Sequence, residues 1–347
     1  MTDALVSTEW VAERIDAPGT WLIEVSLPHP LAPLPREGEG WPKVGVRGWA
    51  FFCRLTRWYT TRTMSDALVS TEWVAERLGT DADARGGPQS GDDSHVRVIE
   101  VSSTRLEAYA RGHLPGAVAI DWQGELIERE DESSGMVIDA GRFTALARRL
   151  GLRLDDTLIF YGDEGGRHAV RALWTFEYYR HAGALHMMDG GREAWQREGR
   201  SMTSETPAIE ASDYPTPAGV DESVRATRQE IESRLGSAGF AVLDTRTRGE
   251  YEGSDVRAER GGHIPGAAHI FWEEALTAEG AFKSKEELAA LYGDLPKDAT
   301  IVAHCQLGVR AAHSWFALRH ILGYADVKNY DGSWQEWGNR RDTPIER

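Results

Sequence analysis

The chain has 347 residues, a formal net charge of -16 at pH 7 and 41% apolar residues. That length accommodates two domains of ordinary size, and the charge disfavours nucleic acid and anionic membranes as partners. No run of about 18 apolar residues could span a bilayer. The first residues lack the basic and apolar regions of a secretory signal, and the two cysteines, Cys53 and Cys305, make no disulfide framework. A reducing cytoplasm is therefore the expected location. Neither a zinc-type Cys/His spacing nor a glycine-rich nucleotide motif is present, so no metal and no organic cofactor is expected.

In chain order, the first feature is a repeat. Asp3-Ala-Leu-Val-Ser-Thr-Glu-Trp-Val-Ala-Glu-Arg14 returns unchanged as Asp66 to Arg77, and Leu22-Ile-Glu-Val-Ser26 is echoed by Val98-Ile-Glu-Val-Ser102. The first copy then runs into a Pro/Gly-rich stretch, 27–40, and an aromatic, basic one, 41–63. Stable repeat architectures stack whole units. Residues 1–63 therefore read as a truncated duplicate followed by an irregular N-terminal extension, with Met64 as the natural start and a docking arm as the rival reading.

From Met64 the pattern alternates helix and strand, which predicts a domain over 64–202. Ser70 to Arg77 opens with a polar cap. Val96–Val101, Ala117–Ile120 and Asp156–Tyr161 read as strands, and Arg142–Leu150 and His168–Tyr179 as helices. Residues 203–222, with three prolines among Ser, Thr, Asp and Glu, read as a linker. The same order of motifs then restarts over 223–347. Val242-Leu-Asp-Thr245 answers Val98-Ile-Glu-Val101, and Gly262-His-Ile-Pro-Gly266 answers Gly112-His-Leu-Pro-Gly116. Thr300-Ile-Val-Ala-His-Cys305 answers Thr157-Leu-Ile-Phe-Tyr-Gly162, and Asp331-Gly-Ser-Trp-Gln-Glu-Trp337 answers Asp189-Gly-Gly-Arg-Glu-Ala-Trp195. A nearly constant interval over four motifs marks two copies of one α/β domain, each a mostly parallel sheet with helices on both faces.

The chemistry concentrates at Thr300-Ile-Val-Ala-His-Cys-Gln-Leu-Gly-Val-Arg310. An apolar β-branched run gives a strand over Thr300–Ala303. Gly308 gives a tight turn, and an apolar helical pattern runs from Ala311 to Leu322 before Gly323. Cys305 thus sits where a strand stops and a helix begins, inside a ring of backbone N–H groups closed by Arg310. Such a place is electropositive and favours a thiolate. In the first copy Gly162 stands at the cysteine's place while Arg167 is kept, so only the second copy can carry sulfur on a cysteine.

Cys305-Gln-Leu-Gly-Val-Arg310 resembles the active-site loop of the rhodanese family, the thiosulfate and mercaptopyruvate sulfurtransferases, and the four paired motifs resemble a tandem rhodanese protein. The loop is one residue shorter than the Cys-x5-Arg loop of tyrosine phosphatases, which suits a sulfur atom better than a phosphate. The resemblance implies Cys305 as nucleophile, with Gln306, Leu307, Gly308, Val309 and Arg310 forming the substrate cradle. It also implies a silent first domain that walls the cleft. Thiosulfate and a thiophilic acceptor such as cyanide are the expected small-molecule partners of a monomeric enzyme.

A 3-mercaptopyruvate enzyme is the runner-up, since Leu307 stands where those enzymes typically carry serine. From other classes, a Cys-based phosphatase or arsenate reductase and a non-catalytic rhodanese-type binding module are the rivals. Asp244 and Arg246 read as a buried structural pair. His113 and His263 read as loop fasteners, with a place for His113 at the cleft left open. His304 is a candidate either for promoting the thiolate or for packing, and Trp334 and Trp337 are core or interface aromatics. Glu250 stands where some animal relatives of the family carry a substrate-binding arginine.

Overall fold

β-branched and aromatic runs dominate the buried strands, and short polar caps open the helices that cover them. In the computed structural model, residues 67–79, 96–129 and 135–347 are described. The readings of 1–63 as a duplicate and of Met64 as a start lie outside those residues. In the first half, β1 (Leu68–Val69) leads into α1 (Thr71–Leu78), then β2 (Val96–Glu100), β3 (Val118–Ala119), α2 (Ala140–Arg149), β4 (Thr157–Tyr161), α3 (Arg167–Tyr178) and β5 (Leu185–Met188). In the second half follow β6 (Phe240–Asp244), α4 (Arg248–Glu252), β7 (Ala268–His269), β8 (Thr300–His304), α5 (Val309–Phe316), β9 (Val327–Asn329) and α6 (Ser333–Trp337).

The strands form two sheets, ordered β1-β5-β4-β2-β3 and β7-β6-β8-β9. Every pair in both is parallel. The interior strands read as continuous apolar runs because both faces are covered by helices: β8 is buried at all five positions. Register repeats between the copies, with Val98 opposite Ile159 and Val242 opposite Val302. Local chemistry sets the helix starts. The Ser70 side chain accepts from the Trp73 N–H, and Asp139 accepts from Gly141 and Arg142, as N-caps do. The pattern that predicts one helix to Leu322 is realised in two parts. The α-helix ends at Phe316 and a single π turn, Ala317–Ile321, carries the chain on to Gly323.

Each copy closes in the same way. His113 stacks on Tyr109 and His263 on Tyr251, both with centroids 3.7 Å apart. Each histidine Nδ1 lies 2.9 Å from the carbonyl oxygen of its tyrosine. The backbone of His113 pairs antiparallel with Thr203, and that of His263 with Glu346. Both histidines therefore fasten loops, and His113, fully buried with both ring nitrogens engaged, does not face the cleft. The proline-rich segment after Thr203 is packed along the first half rather than hanging free. Ser212 N–H donates to Arg148 O, Tyr214 is buried, and Asp221 N–H donates to Tyr178 O.

Behind each motif lies a buried ion pair, built from different positions. In the first copy Arg192 Nη2 donates to Glu100 Oε1 at 2.9 Å and to the Gly112 carbonyl. In the second, Arg246 holds Asp244 at 2.6 Å and the matching Gly262 carbonyl at 2.7 Å. Trp334 occupies the place of Arg192, and Arg246 lies over its ring at 4.3 Å. Asp244 and Arg246 are thus the structural pair expected of charges inside a core. Arg192→Met should leave Glu100 buried without its cation and cost about 3–5 kcal/mol. Denaturant unfolding reads this directly, and adding Glu100→Gln in the same chain should recover part of the loss.

Candidate active site

The site forms where β8 ends. Burial of Thr300 to His304 fixes the strand, and the chain must then turn sharply to start α5 at Val309. The turn needs Gly308, whose φ is 68°, and a Cβ there would come within 2.5 Å of Arg171 Nη1 and 2.6 Å of Asp331 Cα. No L side chain fits that space. Cys305, only 1% exposed, follows the strand directly. Its N–H donates to Ser333 Oγ at 3.1 Å, and its carbonyl accepts from the Trp334 N–H at 2.9 Å. The start of α6 therefore grips the loop from behind.

The other predicted cradle residues surround the thiol. Gln306 donates through Nε2 to Arg257 O at 3.1 Å and to Gln335 Oε1 at 3.3 Å. Leu307 packs against Gly135 of the first half. The Gly308 carbonyl accepts from Asn329 Nδ2 at 3.0 Å and from Arg171 Nη1 at 3.2 Å. Among the described residues no acceptor takes up the N–H groups of Leu307, Gly308 or Val309. These lie at the N-terminal end of α5, where an anion is stabilised. In the silent copy the equivalent loop is occupied by its own side chain. Glu193 Oε1 accepts from the Glu164 N–H at 3.2 Å, and Arg167 turns to Glu164. Gln335 stands at the place of Glu193, so the Cys305 loop keeps its amides open.

Arg310 is a second focus. Its guanidinium forks onto Glu250, with Nη1 to Oε2 at 2.7 Å and Nη2 to Oε1 at 2.8 Å, the strong bidentate geometry of Arg with a carboxylate. Glu250 is itself the third helical residue of a capping box, with its carboxylate accepting the Thr247 N–H. Burial works against the charge on Arg310, but Glu250 and the Cys305 sulfur hold it above its ordinary value. The positive charge expected at the rim is therefore shared with a carboxylate. His304, fully buried 3.4 Å from Asp244, is pushed down to about 4, chiefly by burial. It is neutral at neutral pH and lends Cys305 no positive charge.

Sequence reasoning missed Arg171. It comes from α3 of the silent half, is fully buried, and donates to Gly308 O and, at 3.1 Å, to Gly135 O. Aligning the copies at Gly162 and Cys305 sets Arg171 against Ser314, and that mismatch was the available signal.

The Glu250 pair carries a pH signature. Burial alone would raise this carboxyl, but Arg310 and the Thr247 cap outweigh it and hold it at about 2, below the usual 4.5. A depressed carboxyl contributes stability above its unfolded value and loses it as pH falls through the folded one. Glu250→Gln should therefore destabilise the protein by up to about 3 kcal/mol near neutral pH. The gap to wild type should close between about pH 4.5 and 2; denaturant midpoints measured across that range test it.

Comparison with known proteins agrees with this architecture. The profile of the rhodanese-like domain matches residues 87–198 and again 227–340. A thiosulfate sulfurtransferase of Corynebacterium glutamicum is 39% identical over 291 residues, covering 81% of this chain and 90% of its own. The sulfur carrier protein TtuD of Thermus thermophilus is 40% identical over 293 residues, covering 81% of this chain and 96% of its own. Among solved structures, the anaerobic ergothioneine biosynthesis enzyme of Chlorobium limicola superposes with a TM-score of 0.69 at 20% identity, over 81% of this chain and 70% of that one. That similarity speaks for the fold alone. With the domain found twice and relatives this similar over most of the chain, the protein belongs to the rhodanese family.

Proposed function

We propose that this protein is a thiosulfate sulfurtransferase working through a persulfide on Cys305. The observation that carries the reading is the buried thiol at the end of β8, facing Arg310 and ringed by open N–H groups, in a copy whose twin has glycine at that place. The Cys305 thiolate attacks the outer sulfur of thiosulfate. The S–S bond of the donor breaks, sulfite leaves with its electron pair, and a Cys305 persulfide anion remains. Cyanide carbon then attacks the outer sulfur, thiocyanate leaves, and the thiolate returns. This is covalent catalysis by double displacement, with the amides of Leu307, Gly308 and Val309 as fixed dipoles towards the developing charge. Neither step calls for a metal or an organic cofactor.

Cys-based phosphate chemistry fits the site less well. A leaving alkoxide needs a protonated acid beside it, and the carboxyl facing the loop, Glu250, is bound to Arg310 and held at about 2. Mercaptopyruvate remains the alternative donor, with Leu307 against it because an apolar side chain offers its carboxylate no hydrogen bond. The expected setting is a monomer in the cytoplasm acting on small molecules, and among the described residues no helix is long and apolar enough to cross a membrane.

Cys305→Ser should abolish turnover of thiosulfate and cyanide while leaving the melting curve unchanged, since a hydroxyl holds no transferable sulfur. Residual turnover above a few per cent would place the nucleophile elsewhere. In the same assay Arg310→Ala should raise KM for thiosulfate by roughly ten- to a hundredfold, the worth of a charge-assisted contact. An unchanged KM would leave Arg310 as the structural partner of Glu250. Replacing thiosulfate by mercaptopyruvate as donor separates the two family readings.

A further inference from the structure

The two copies are related element by element, yet one further charge, buried between them, breaks the relation. At the residue nine positions after Cys305 the second copy has Ser314, and at the same distance after Gly162 the first has Arg171. The helices that carry them, α5 and α3, pack against each other, and Arg171 reaches across to the Gly308 carbonyl of the second half. At this position only α3, the helix of the first copy, carries a cation. The same asymmetry appears one step further on. Asp331 accepts Arg225 Nε at 2.9 Å and lies 4.0 Å from Arg171 Nη2. Its twin Asp189 accepts the N–H groups of Gly190 and Phe282, and no arginine among the described residues.

Arg171 has no exposure to solvent. Its Nη atoms are spent on the carbonyls of Gly308 and Gly135, and its Nε finds no acceptor among the described residues. Burying a guanidinium this way is costly, and one carboxylate, Asp331, is shared between it and Arg225. The cluster therefore keeps a net positive charge beneath the turn. The charged or titratable groups around Cys305 are Arg310 with Glu250, which Arg257 with its own Asp255 also approaches, on one side, Arg171 with Asp331 and Arg225 on the other, and the neutral His304 with the Asp244–Arg246 pair behind. Burial pulls Arg171 down only to about 10, with Asp331 and the Cys305 sulfur acting the other way. It stays charged at neutral pH.

We propose that Arg171 of the silent half is a positioning residue for Cys305, holding the Gly308 turn and setting a buried positive charge against the thiolate and its persulfide. This rests on the sulfurtransferase reading above. It also gives the copy without a nucleophile a part in the reaction beyond walling the cleft: Arg310 and Arg257 are matched by Glu250 and Asp255, so the unmatched fixed charge beside the turn is the one Arg171 brings from the other half.

The test uses the full chain with Arg171→Gln, Arg171→Met and Arg171→Lys. Iodoacetamide, a neutral reagent, alkylates Cys305 at a rate followed by peptide mass spectrometry across pH, alongside steady-state kinetics with thiosulfate and thermal melts. Gln and Met should move the alkylation profile about one pH unit to the alkaline side, as loss of a nearby opposite charge does. They should lower kcat about tenfold and leave KM for thiosulfate within about twofold, because the buried side chain does not reach the donor. Lys should restore most of the profile. If Met fails to fold, the Gln and Lys pair makes the same comparison. Unmoved profiles in the neutral variants, or a Lys variant as impaired as Met, overturn the proposal. Should the wild-type protein take no sulfur from any donor, the sulfurtransferase reading fails on its own. The alkylation profile then still decides Arg171, with a shift upholding its hold on the thiolate and no shift sinking it.

Discussion

Asp331 is the point where the two halves, the linker and the cysteine loop are tied together. Its carboxylate accepts the Val137 N–H of the first half at 2.8 Å and the Arg225 guanidinium just past the linker. Its Cα fills the space beside Gly308, and α6, which begins two residues later, holds the Cys305 carbonyl. A carboxylate that is 1% exposed is costly to bury without such partners. The geometry at the thiol therefore depends on the packing of a domain that carries no nucleophile. The reciprocal bond exists as well, from the Phe282 N–H to Asp189. Each half thus inserts a tip, at Gly135 and Gly280, against the loop of the other.

Within that symmetric frame the two loops have opposite chemistry. The silent loop satisfies its own electropositive end with Glu193 and turns Arg167 towards Glu164 and Trp272. The Cys305 loop has Gln335 at the matching place and leaves its amides open. One carboxylate more or less decides whether a helix N-terminus of this kind is closed or available to an anion. The two copies share one frame, and the loops within it differ in the side chains that face their amides.

The local parts of this structure were legible in the sequence. β8, the Gly308 turn and α5 follow from an apolar β-branched run, a glycine and a helical pattern, and the paired motifs locate both copies with the cysteine in the second. What was not legible depends on contacts between distant residues. Nothing near Arg310 in sequence shows that Glu250, sixty residues away, forks onto it, although the oddity of an acid at that place was visible. Arg171 lies in the other copy and reads as one more polar residue in an amphipathic helix. The proline-rich segment has a linker's composition and is nevertheless fixed by Arg148 and Tyr178. Two-residue strands such as β3 and β7 carry too little pattern to be bounded. The helix predicted to Leu322 loses its regular hydrogen bonds at Ala317, where the π turn re-aims the chain towards β9.

All of this converges on one claim, that sulfur passes through Cys305 and through no residue of the silent copy. Intact and peptide mass spectrometry after treatment with stoichiometric thiosulfate tests it most directly. The prediction is a single addition of about 32 Da, one sulfur atom, confined to the Cys305 peptide and removed by cyanide. A protein that stays unmodified, or that carries the added sulfur on a peptide without Cys305, would contradict it.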